Sequence, residues 1–398
     1  MARSDNARRS RDLDSRWRTS AGAPGINWEI VIAVASLLAI GCVMVFSATS
    51  AFAQSPKYHV EETAFLLAHL RSIAIGLVAG WAAYRVPMSF WLRWSWWIGG
   101  IALVLLLLVF APVIGKSVNG AQRWVRLGFM QLQASELVKV AVLVVTAAFT
   151  VKRQDFMHSF SKGFLPMALV MVGIAFLLMR QPDLGATVVI AVEIMGILFL
   201  GGLSLTIFSS VAAILVAFVA WMIIDTPWRM GRIFAYWDPW SDEHVLGQAY
   251  QLSHSLIAFG RGELFGVGLG GSVEKLNYLP EAHTDFIMAV IAEETGFAGV
   301  LLTLLLFYWL IRRAFEIGRQ AIKLERPFQG LLAQGVGVWF GCQTFINVGV
   351  ASGLLPTKGL TLPFVSYGGS ALLSGLIAVG LLLRVDKENK ILMRGGQV

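Results

Sequence analysis

Three ionisable residues, Glu281, His283 and Asp285, stand within five residues of each other where a polar stretch runs into an apolar one. Pro280 interrupts whatever precedes them, and Thr284 is placed to cap a helix that begins at Asp285. An ionisable group at the mouth of a membrane span is costly, so it is a candidate functional site by default. Alternatively, Asp285 only complements the positive end of the helix dipole. The spacing alone leaves both interpretations open.

Composition indicates an integral membrane protein. Of the 398 residues, 57% are hydrophobic and only 14% are charged, and the mean hydropathy is +0.69. Ordinary soluble domains do not have such values. The two cysteines, Cys42 and Cys342, both fall in apolar segments, so we expect neither a disulfide framework nor a zinc site.

Apolar segments recur along the chain, each close to the ~20 residues that a bilayer requires. They predict an all-α integral membrane protein with about ten transmembrane helices and with both termini on one side. The predicted spans are 29–49, 64–84, 95–114, 132–151, 163–179, 184–202, 205–224, 285–311, 329–352 and 361–384.

Basic residues orient these spans. When both termini are placed in the cytoplasm, most of the 32 Lys and Arg fall in inside segments, as the positive-inside rule requires. The net charge of +8 is then a matter of topology, and we expect no nucleic-acid partner. The predicted organisation is a disordered basic cytoplasmic tail (1–27), a polytopic membrane domain (28–385) with a large periplasmic loop (225–284) between spans 7 and 8, and a cytoplasmic tail (386–398).

Cations collect on the predicted outer face. Each could be no more than half of an internal salt bridge. Taken together, outward cations beside a carboxylate indicate a pocket for an anionic headgroup held between helices. These cations are Arg71, Lys116, Arg123, Arg126 and Lys358.

The long loop carries further patterns. Apolar residues from Leu246 to Ile257 follow helical spacing and predict an amphipathic helix in the membrane interface. The run GVGLGG at 266–271 predicts a flexible turn, because no strand–turn–helix unit is present to form a dinucleotide site. Farther along, Glu293 and Glu294 predict helix packing, and Arg180 with Asp183 predicts an ion pair.

Four motifs carry a resemblance to the SEDS family, the shape, elongation, division and sporulation glycosyltransferases of the bacterial cell wall. Their order and spacing resemble the family from the first span to Arg384. The departures at Ala186, Met288 and Ala371 remove no ionisable group. The motifs are NGAQRW at 119–124, QPDLGA at 181–186, PEAHTDFIMAVIAEETGF at 280–297 and PTKGLTLPFVSYGGSALL at 356–373.

The resemblance implies an inverting peptidoglycan polymerase that uses lipid II at the outer face of the cytoplasmic membrane and releases undecaprenyl pyrophosphate. Asp285 matches the family's essential aspartate, and one base near the acceptor hydroxyl is what this displacement needs. The leaving diphosphate needs positive charge. The residues assigned to it are Lys358, Arg123 and Arg71, with Lys116 and Arg126.

Supporting roles are assigned to Glu281, Ser366 and Tyr367. Asp285 and Glu281 are also the candidates to hold a divalent cation, Mg²⁺ or Mn²⁺. No organic cofactor is expected. His254 and His283 are too isolated to predict a metal site.

The resemblance also implies partners and a location. Besides lipid II, they are a class B penicillin-binding protein transpeptidase (FtsI-like) and other septal membrane proteins (FtsQ-, FtsL- and FtsB-like), in a multi-pass protein of the bacterial inner membrane at the division septum. The basic tail favours the division branch over the rod-shape branch, which remains an alternative. A lipid II flippase is another, although its essential charges should lie at midplane or on both faces. A non-catalytic scaffold is the third.

Overall fold

The structure is a computed structural model that describes residues 25–54, 63–112, 114–118, 121–127 and 130–397. Most of the predicted tail 1–27 lies outside this part of the chain. Ten long helices occur at the ten predicted places. They are α1 (Trp28–Gln54), α2 (Ala64–Arg85), α4 (Ser95–Leu108), α5 (Ala134–Lys152), α6 (Leu165–Arg180), α7 (Leu184–Leu200), α8 (Leu205–Ile224), α11 (Ile287–Lys323), α12 (Pro327–Ala351) and α13 (Gly369–Met393).

Seven helices of the described chain are long and apolar enough to cross a membrane, which makes this a multi-pass membrane protein. Two of the remaining helices at predicted spans, α4 and α7, are apolar but shorter. The third, α12, carries Gln329, Gln334, Gln343 and Asn347, all buried. Because α12 packs between other helices, its surface need not match lipid.

Shorter helices complete the chain. They are α3 (Met88–Arg93), α9 (Pro227–Trp237) and α10 (Tyr250–Gly262). The predicted amphipathic helix therefore begins only at Tyr250, and Leu246 lies in the preceding turn with 84% of its surface exposed. One face of α10, with Leu252 and Ala258, is buried. The loop 225–284 is thus largely structured.

The all-α prediction is wrong between residues 115 and 133. There β1 (Gly115–Val118), β2 (Ala121–Leu127) and β3 (Met130–Gln133) form an antiparallel sheet in the order β1-β2-β3. Val125 pairs with Leu132, and both side chains are buried. The strands are too short, and too rich in basic residues, for their alternation to have been recognised in the sequence.

Glycines bring α2 and α13 into close contact. A Cβ on Gly80 would lie 2.5 Å from the carbonyl oxygen of Leu376, and one on Gly380 would collide with the backbone of Gly80. Gly76 meets the Leu376 side chain one turn away. Small residues at this four-residue spacing are typical of tightly packed transmembrane helices.

The helix α11 is broken at Gly296, whose φ of 67° lies in the left-handed region that favours glycine. The loop segment 263–268 lies against this break. Four backbone hydrogen bonds between the loop and the helix replace the helical hydrogen bonds that are missing at the break. These are Val267 N to Glu293 O, Gly268 N to Glu294 O, Phe297 N to Glu263 O and Ala298 N to Leu264 O, at 2.9–3.1 Å.

The carboxylates of Glu293 and Glu294, both buried, also bind this loop. Glu294 accepts from Lys275 Nζ at 2.7 Å and from Ser47 Oγ on α1 at 2.6 Å. Glu293 accepts from Arg261 Nη1 at 2.7 Å and from the Ser272 hydroxyl. The two glutamates therefore fix the loop on α11 and also join α11 to α1 through Ser47 and to α10 through Arg261.

Both ends of the site-bearing region differ from the prediction. The helix α11 begins at Ile287, not Asp285, and the Thr284 hydroxyl donates to Glu281 Oε2 at 2.7 Å instead of capping the helix. The last helix begins at Gly369, so 361–368 is non-helical, and it continues to Met393 through most of the predicted tail 386–398. The glycines and proline of the 356–369 motif interrupt the apolar run that had been interpreted as helix.

We predict that the Lys275–Glu294 pair stabilises the docked loop. Lys275→Met leaves a buried carboxylate without its cation, so the free energy of unfolding should fall by about 3 kcal/mol or more. Lys275→Met combined with Glu294→Gln removes both charges and should recover part of the loss. Thermal unfolding in detergent measures this.

The control is Arg312→Gln, which breaks the Arg312–Glu316 pair where the arginine side chain is 62% exposed. Its cost should be below about 1 kcal/mol. Equal losses for Lys275→Met and Arg312→Gln would contradict the assignment.

Candidate active site

Two non-helical segments, 281–286 and 359–368, lie side by side at the ends of α11 and α13. The Ser366 hydroxyl donates to the Thr284 carbonyl at 2.6 Å and accepts from the Leu362 amide at 2.8 Å. The Tyr367 amide donates to the His283 carbonyl at 2.9 Å. Ser366 and Tyr367, predicted as supporting residues, thus hold the backbone that carries the acidic cluster.

Asn347 on α12 is hydrogen-bonded to both of these segments. Its Nδ2 donates to the carbonyls of Asp285 at 2.9 Å and Leu360 at 2.6 Å. Beside Leu360, Gly359 faces the Asp285 carboxylate so closely that a Cβ there would lie 2.6 Å from Oδ2. The sequence analysis did not identify Asn347 or Gly359, although Gly359 belongs to the PTKGLTLPF motif.

The pKa of Asp285 is raised to about 7, chiefly by burial and then by the nearby Glu281 carboxylate. The Arg123 guanidinium opposes this rise, whereas Asp183 adds to it. The side chain is therefore a carboxyl group that gains or loses its proton near neutral pH. Such a value suits a general base.

Arg123 reaches the site from the sheet. The register of β1 and β2 slips by one residue opposite Arg123, which forms a bulge, and bulges commonly redirect a side chain. Its Nε donates to the Gln181 carbonyl at 3.0 Å and its Nη2 to the Pro182 carbonyl at 2.5 Å. This arginine therefore links the NGAQRW and QPDLGA motifs while its charge acts on Asp285.

Asp183 does not form the predicted ion pair with Arg180. Its Oδ1 accepts from the Ala186 amide at 3.1 Å and caps α7, and its Oδ2 accepts from Ser135 Oγ at 3.1 Å and Gln133 Nε2 at 3.3 Å. The Arg180 guanidinium lies 5.3 Å from the centroid of the Phe176 ring instead. A helix cap satisfies Asp183 locally, which the sequence spacing did not distinguish from an ion pair.

Aromatic rings surround Tyr367. Its ring centroid lies 5.6 Å from Phe65, 5.7 Å from His283 and 6.1 Å from His69. Burial raises the pKa of Tyr367, and the charge of Arg71, an exposed residue on α2, opposes that rise. Burial lowers the pKa of His283. The sequence analysis missed Phe65 and His69, because a single aromatic in an apolar helix carries no signal of its own.

The remaining predicted cations lie at different places. Lys358 is half-buried and directly precedes Gly359. Lys116, half-buried, pairs with Trp124 in the sheet, and Arg126 is exposed. Within the described chain, neither Lys116 nor Arg126 contacts the Asp285 carboxylate. The structure therefore brings the charge of Arg123 to Asp285 and places Lys358 next to Gly359 in the chain.

A buried ion pair supports the site from within the helices. Lys139 Nζ donates to Glu136 at 2.8 Å and to Gln343 Oε1 at 3.0 Å. Gln343 in turn donates to the Thr361 carbonyl at 2.8 Å. This network satisfies a backbone carbonyl of the non-helical segment 359–368, most of which is buried.

Glu281 and Asp285 are the predicted ligands of a divalent cation. Among the residues that the structure describes, no group of three or more His, Cys, Asp or Glu side chains could hold a metal ion. The carboxylate of the exposed residue Glu281 is near enough to Asp285 to raise the pKa of Asp285 by charge repulsion. Two such carboxylates can supply part of a Mg²⁺ shell, because this ion keeps several waters.

Comparison with known proteins identifies relatives over nearly the whole chain. A family model described as "Cell cycle protein" (FTSW_RODA_SPOVE) matches residues 28–391. A "Probable peptidoglycan glycosyltransferase FtsW" of Burkholderia thailandensis is 57% identical over 364 residues, covering 91% of this chain and 79% of the relative. One of the same name from Aromatoleum aromaticum is 49% identical, covering 97% and 94%.

Solved structures agree in fold. A chain described under "Structural coordination of polymerization and crosslinking by a peptidoglycan synthase complex" has a TM-score of 0.72 at 28% identity, covering 92% of this chain and 98% of that chain. The crystal structure of the Thermus thermophilus rod shape determining protein RodA has a TM-score of 0.65 at 26% identity, with the same coverage.

We predict that ionised Asp285 destabilises the fold. Its pKa is raised from 3.8 to about 7, so the native state binds its proton more tightly than the unfolded state. Stability is therefore lost as the pH rises from about 4 to about 7. Asp285→Asn should raise the melting temperature at pH 8 and by clearly less at pH 5.

Asp225→Asn, at an exposed aspartate after α8, is the control and should shift the melting temperature equally at both pH values. A pH-independent effect of Asp285→Asn would show that the carboxyl group is not in this environment.

Proposed function

The chain belongs to the FtsW/RodA/SpoVE family of cell cycle proteins, and on that premise we propose how its site works. It is a peptidoglycan glycosyltransferase of septal cell-wall synthesis, in keeping with relatives named FtsW at 49–57% identity. Its substrate in this proposal is lipid II, and its reaction is polymerisation into glycan strands. The observation that carries the proposal is the Asp285 carboxyl group, which titrates near neutral pH between two segments fixed by hydrogen bonds.

Asp285 acts as the general base. Its carboxylate removes the proton from the acceptor sugar hydroxyl, and that oxygen attacks the anomeric carbon of the donor. The bond from this carbon to the diphosphate breaks on the opposite face, with inversion, and undecaprenyl pyrophosphate leaves. Because a diphosphate is a good leaving group, a second carboxyl acting as acid, as in glycoside hydrolysis, is not needed.

Positive charge for the leaving diphosphate comes from Lys358, Arg123 and Arg71 in this proposal. Arg123 is supported by its action on Asp285, Lys358 by its position next to Gly359, and Arg71 by its action on Tyr367. Fixed cations lower the energy of a transition state in which negative charge develops. Lys116 and Arg126 would attract the headgroup from the sheet.

Glu281 and Asp285 are the residues that would hold a divalent cation, Mg²⁺ or Mn²⁺. Their mutual repulsion, seen in the raised pKa of Asp285, is what such an ion would relieve. When bound, the ion would supply further positive charge to the diphosphate.

The proposed topology places Asp285 outside the cell membrane. From Ile287 to Ile311 the helix α11 contains no Lys or Arg, and Arg312 and Arg313 follow. This run of about 25 residues exceeds the ~20 residues that a span requires, which leaves room for the break at Gly296. With the arginines at the cytoplasmic boundary, Asp285 emerges on the periplasmic side. Ten spans with both termini in the cytoplasm are consistent with this arrangement.

A transpeptidase of the penicillin-binding class is the expected partner, since a structural relative is described as part of a complex that coordinates polymerization and crosslinking. We propose an FtsI-like class B protein for this role, with FtsQ-, FtsL- and FtsB-like proteins at the septum of the inner membrane. The relatives named FtsW support this division branch rather than the rod-shape branch.

Asp285→Asn should abolish strand formation from fluorescent lipid II by the purified complex with its transpeptidase. The wild-type rate should rise with pH through about 7, because the base must lose its proton. Gel analysis of the strands measures both. Normal polymerisation by the variant would contradict the site, and transport of lipid II across liposomes without joining would favour a flippase.

Gly359→Ala tests the position of the carboxylate without changing its charge. The added methyl group would lie 2.6 Å from Oδ2, so Asp285 must move, and the polymerisation rate should fall by roughly 100-fold. Gly173→Ala, whose methyl group enters open space in α6, is the matched control and should keep the wild-type rate. Equal rates for both variants would show that the carboxylate position is not critical.

A further inference from the structure

A cavity lies in the loop 225–284, and Asp285 is not among the residues that line it. Its volume is about 460 Å³, within the range of small-molecule sites. The lining combines a guanidinium, two amides, an aromatic ring and two residues with little side chain. These are Arg232, Gln248, Gln251, Tyr250, Gly247 and Pro280.

One wall of this cavity is held rigidly. The ring centroids of Tyr250 and His254 lie 4.3 Å apart. The Nδ1 of His254 is hydrogen-bonded to Glu274 Oε2 at 2.6 Å, and the ring stacks at 6.1 Å on Tyr278. Glu274 is buried and belongs to the segment 263–275 fixed on α11. The Tyr250 ring is therefore already held in place before a ligand binds, so that binding does not have to order it.

Another part of the cavity wall depends on the absence of a side chain at Gly231. Gly231 on α9 has no Cβ, and the Gln248 amide occupies that space, where a Cβ would lie 2.6 Å from Nε2. Any larger residue at 231 must push the flexible end of Gln248 away from α9. The amide position, and with it the shape of the cavity, is thus set by a glycine.

The lining groups favour a ligand that combines an acetamido-bearing sugar with a carboxylate. Arg232 is partly buried, and burial lowers its pKa, although a guanidinium keeps its charge in proteins. A partly desolvated guanidinium binds carboxylates in a planar, two-pronged arrangement. Amide side chains pair with acetamido and hydroxyl groups, and a tyrosine ring offers an apolar face with a polar edge.

The cavity is within reach of the reaction centre. Pro280 in its wall precedes Asp285 by five residues, which separates the two by at most about 18 Å of extended chain. A ligand of a few linked sugar and amino-acid units can therefore extend from one to the other.

We propose that this cavity binds the disaccharide–peptide unit of peptidoglycan, with Arg232 on a peptide carboxylate and with Gln248, Gln251 and Tyr250 on the sugar. The inference rests on the proposed function, since that function supplies the ligand. It assigns to the loop a substrate subsite separate from the groups that perform the chemistry. Both lipid II and the growing strand contain this unit.

The test uses soluble GlcNAc–MurNAc–pentapeptide, and peptide-free GlcNAc–MurNAc whose lactyl carboxyl group is capped as an amide, on the full chain with its transpeptidase in nanodiscs. Dissociation constants are measured by saturation-transfer NMR. Arg232→Gln should weaken binding of the peptide-bearing ligand by roughly tenfold or more, as for loss of a charged hydrogen bond, and leave the peptide-free ligand unchanged. Gly231→Ala should weaken both ligands, and Gly173→Ala neither.

Kinetics on lipid II identify which substrate uses the cavity. A raised KM with unchanged strand length in Arg232→Gln assigns the incoming lipid II, and shorter strands with unchanged KM assign the growing strand. Either result supports the subsite. Unchanged affinity of Arg232→Gln for the peptide-bearing ligand overturns it, even when wild type polymerises normally. Binding as expected without any polymerisation by wild type would instead contradict the proposed function.

Discussion

Backbone that is buried outside a helix must find hydrogen-bond partners within the protein, and the site depends on how this requirement is met. Segments 281–286 and 359–368 satisfy one another through Ser366 and Tyr367, while Asn347 and Gln343 reach them from α12. The side chains that complete this pairing also fix the place of the Asp285 carboxylate. Irregular chain, usually a source of mobility, is here as constrained as the helices around it.

Buried charge is treated in two ways. Lys139 and Glu136, Lys275 and Glu294, and Arg261 and Glu293 are each matched by an opposite charge and by further hydrogen bonds. The carboxylates of Glu281 and Asp183 act on Asp285 instead, and of the charges that act on it only Arg123 stabilises its ionised form. Glu193 on α7 is also buried, and neither of its carboxylate oxygens has a hydrogen-bond partner among the described residues. The acids with an ion-pair partner thus differ from Asp285, where part of the electrostatic cost of the fold lies at the reaction centre.

The sequence predicted the parts of the fold that depend on hydrophobic length, and missed those that depend on local hydrogen bonding. Ten apolar segments correspond to ten helices, and two motifs about 80 residues apart, which contain Asp285 and Ser366, meet in space. The sheet of 115–133 was missed because its strands are short. The starts of α11 at 287 and of α13 at 369 were missed, because glycine, proline and hydrogen bonds between non-helical segments can interrupt a helix while the sequence stays apolar. Asp183 was assigned to Arg180 because spacing cannot show that a main-chain amide is its partner.

The break at Gly296 makes the structure of α11 depend on the loop before it. The amides of Phe297 and Ala298, just after the break, donate to the carbonyls of Glu263 and Leu264, and the carbonyls of Glu293 and Glu294, just before it, accept from the loop. The N-terminal part of α11, which leads to the acidic cluster, therefore keeps its backbone hydrogen bonds near Gly296 only while the preceding loop lies against it.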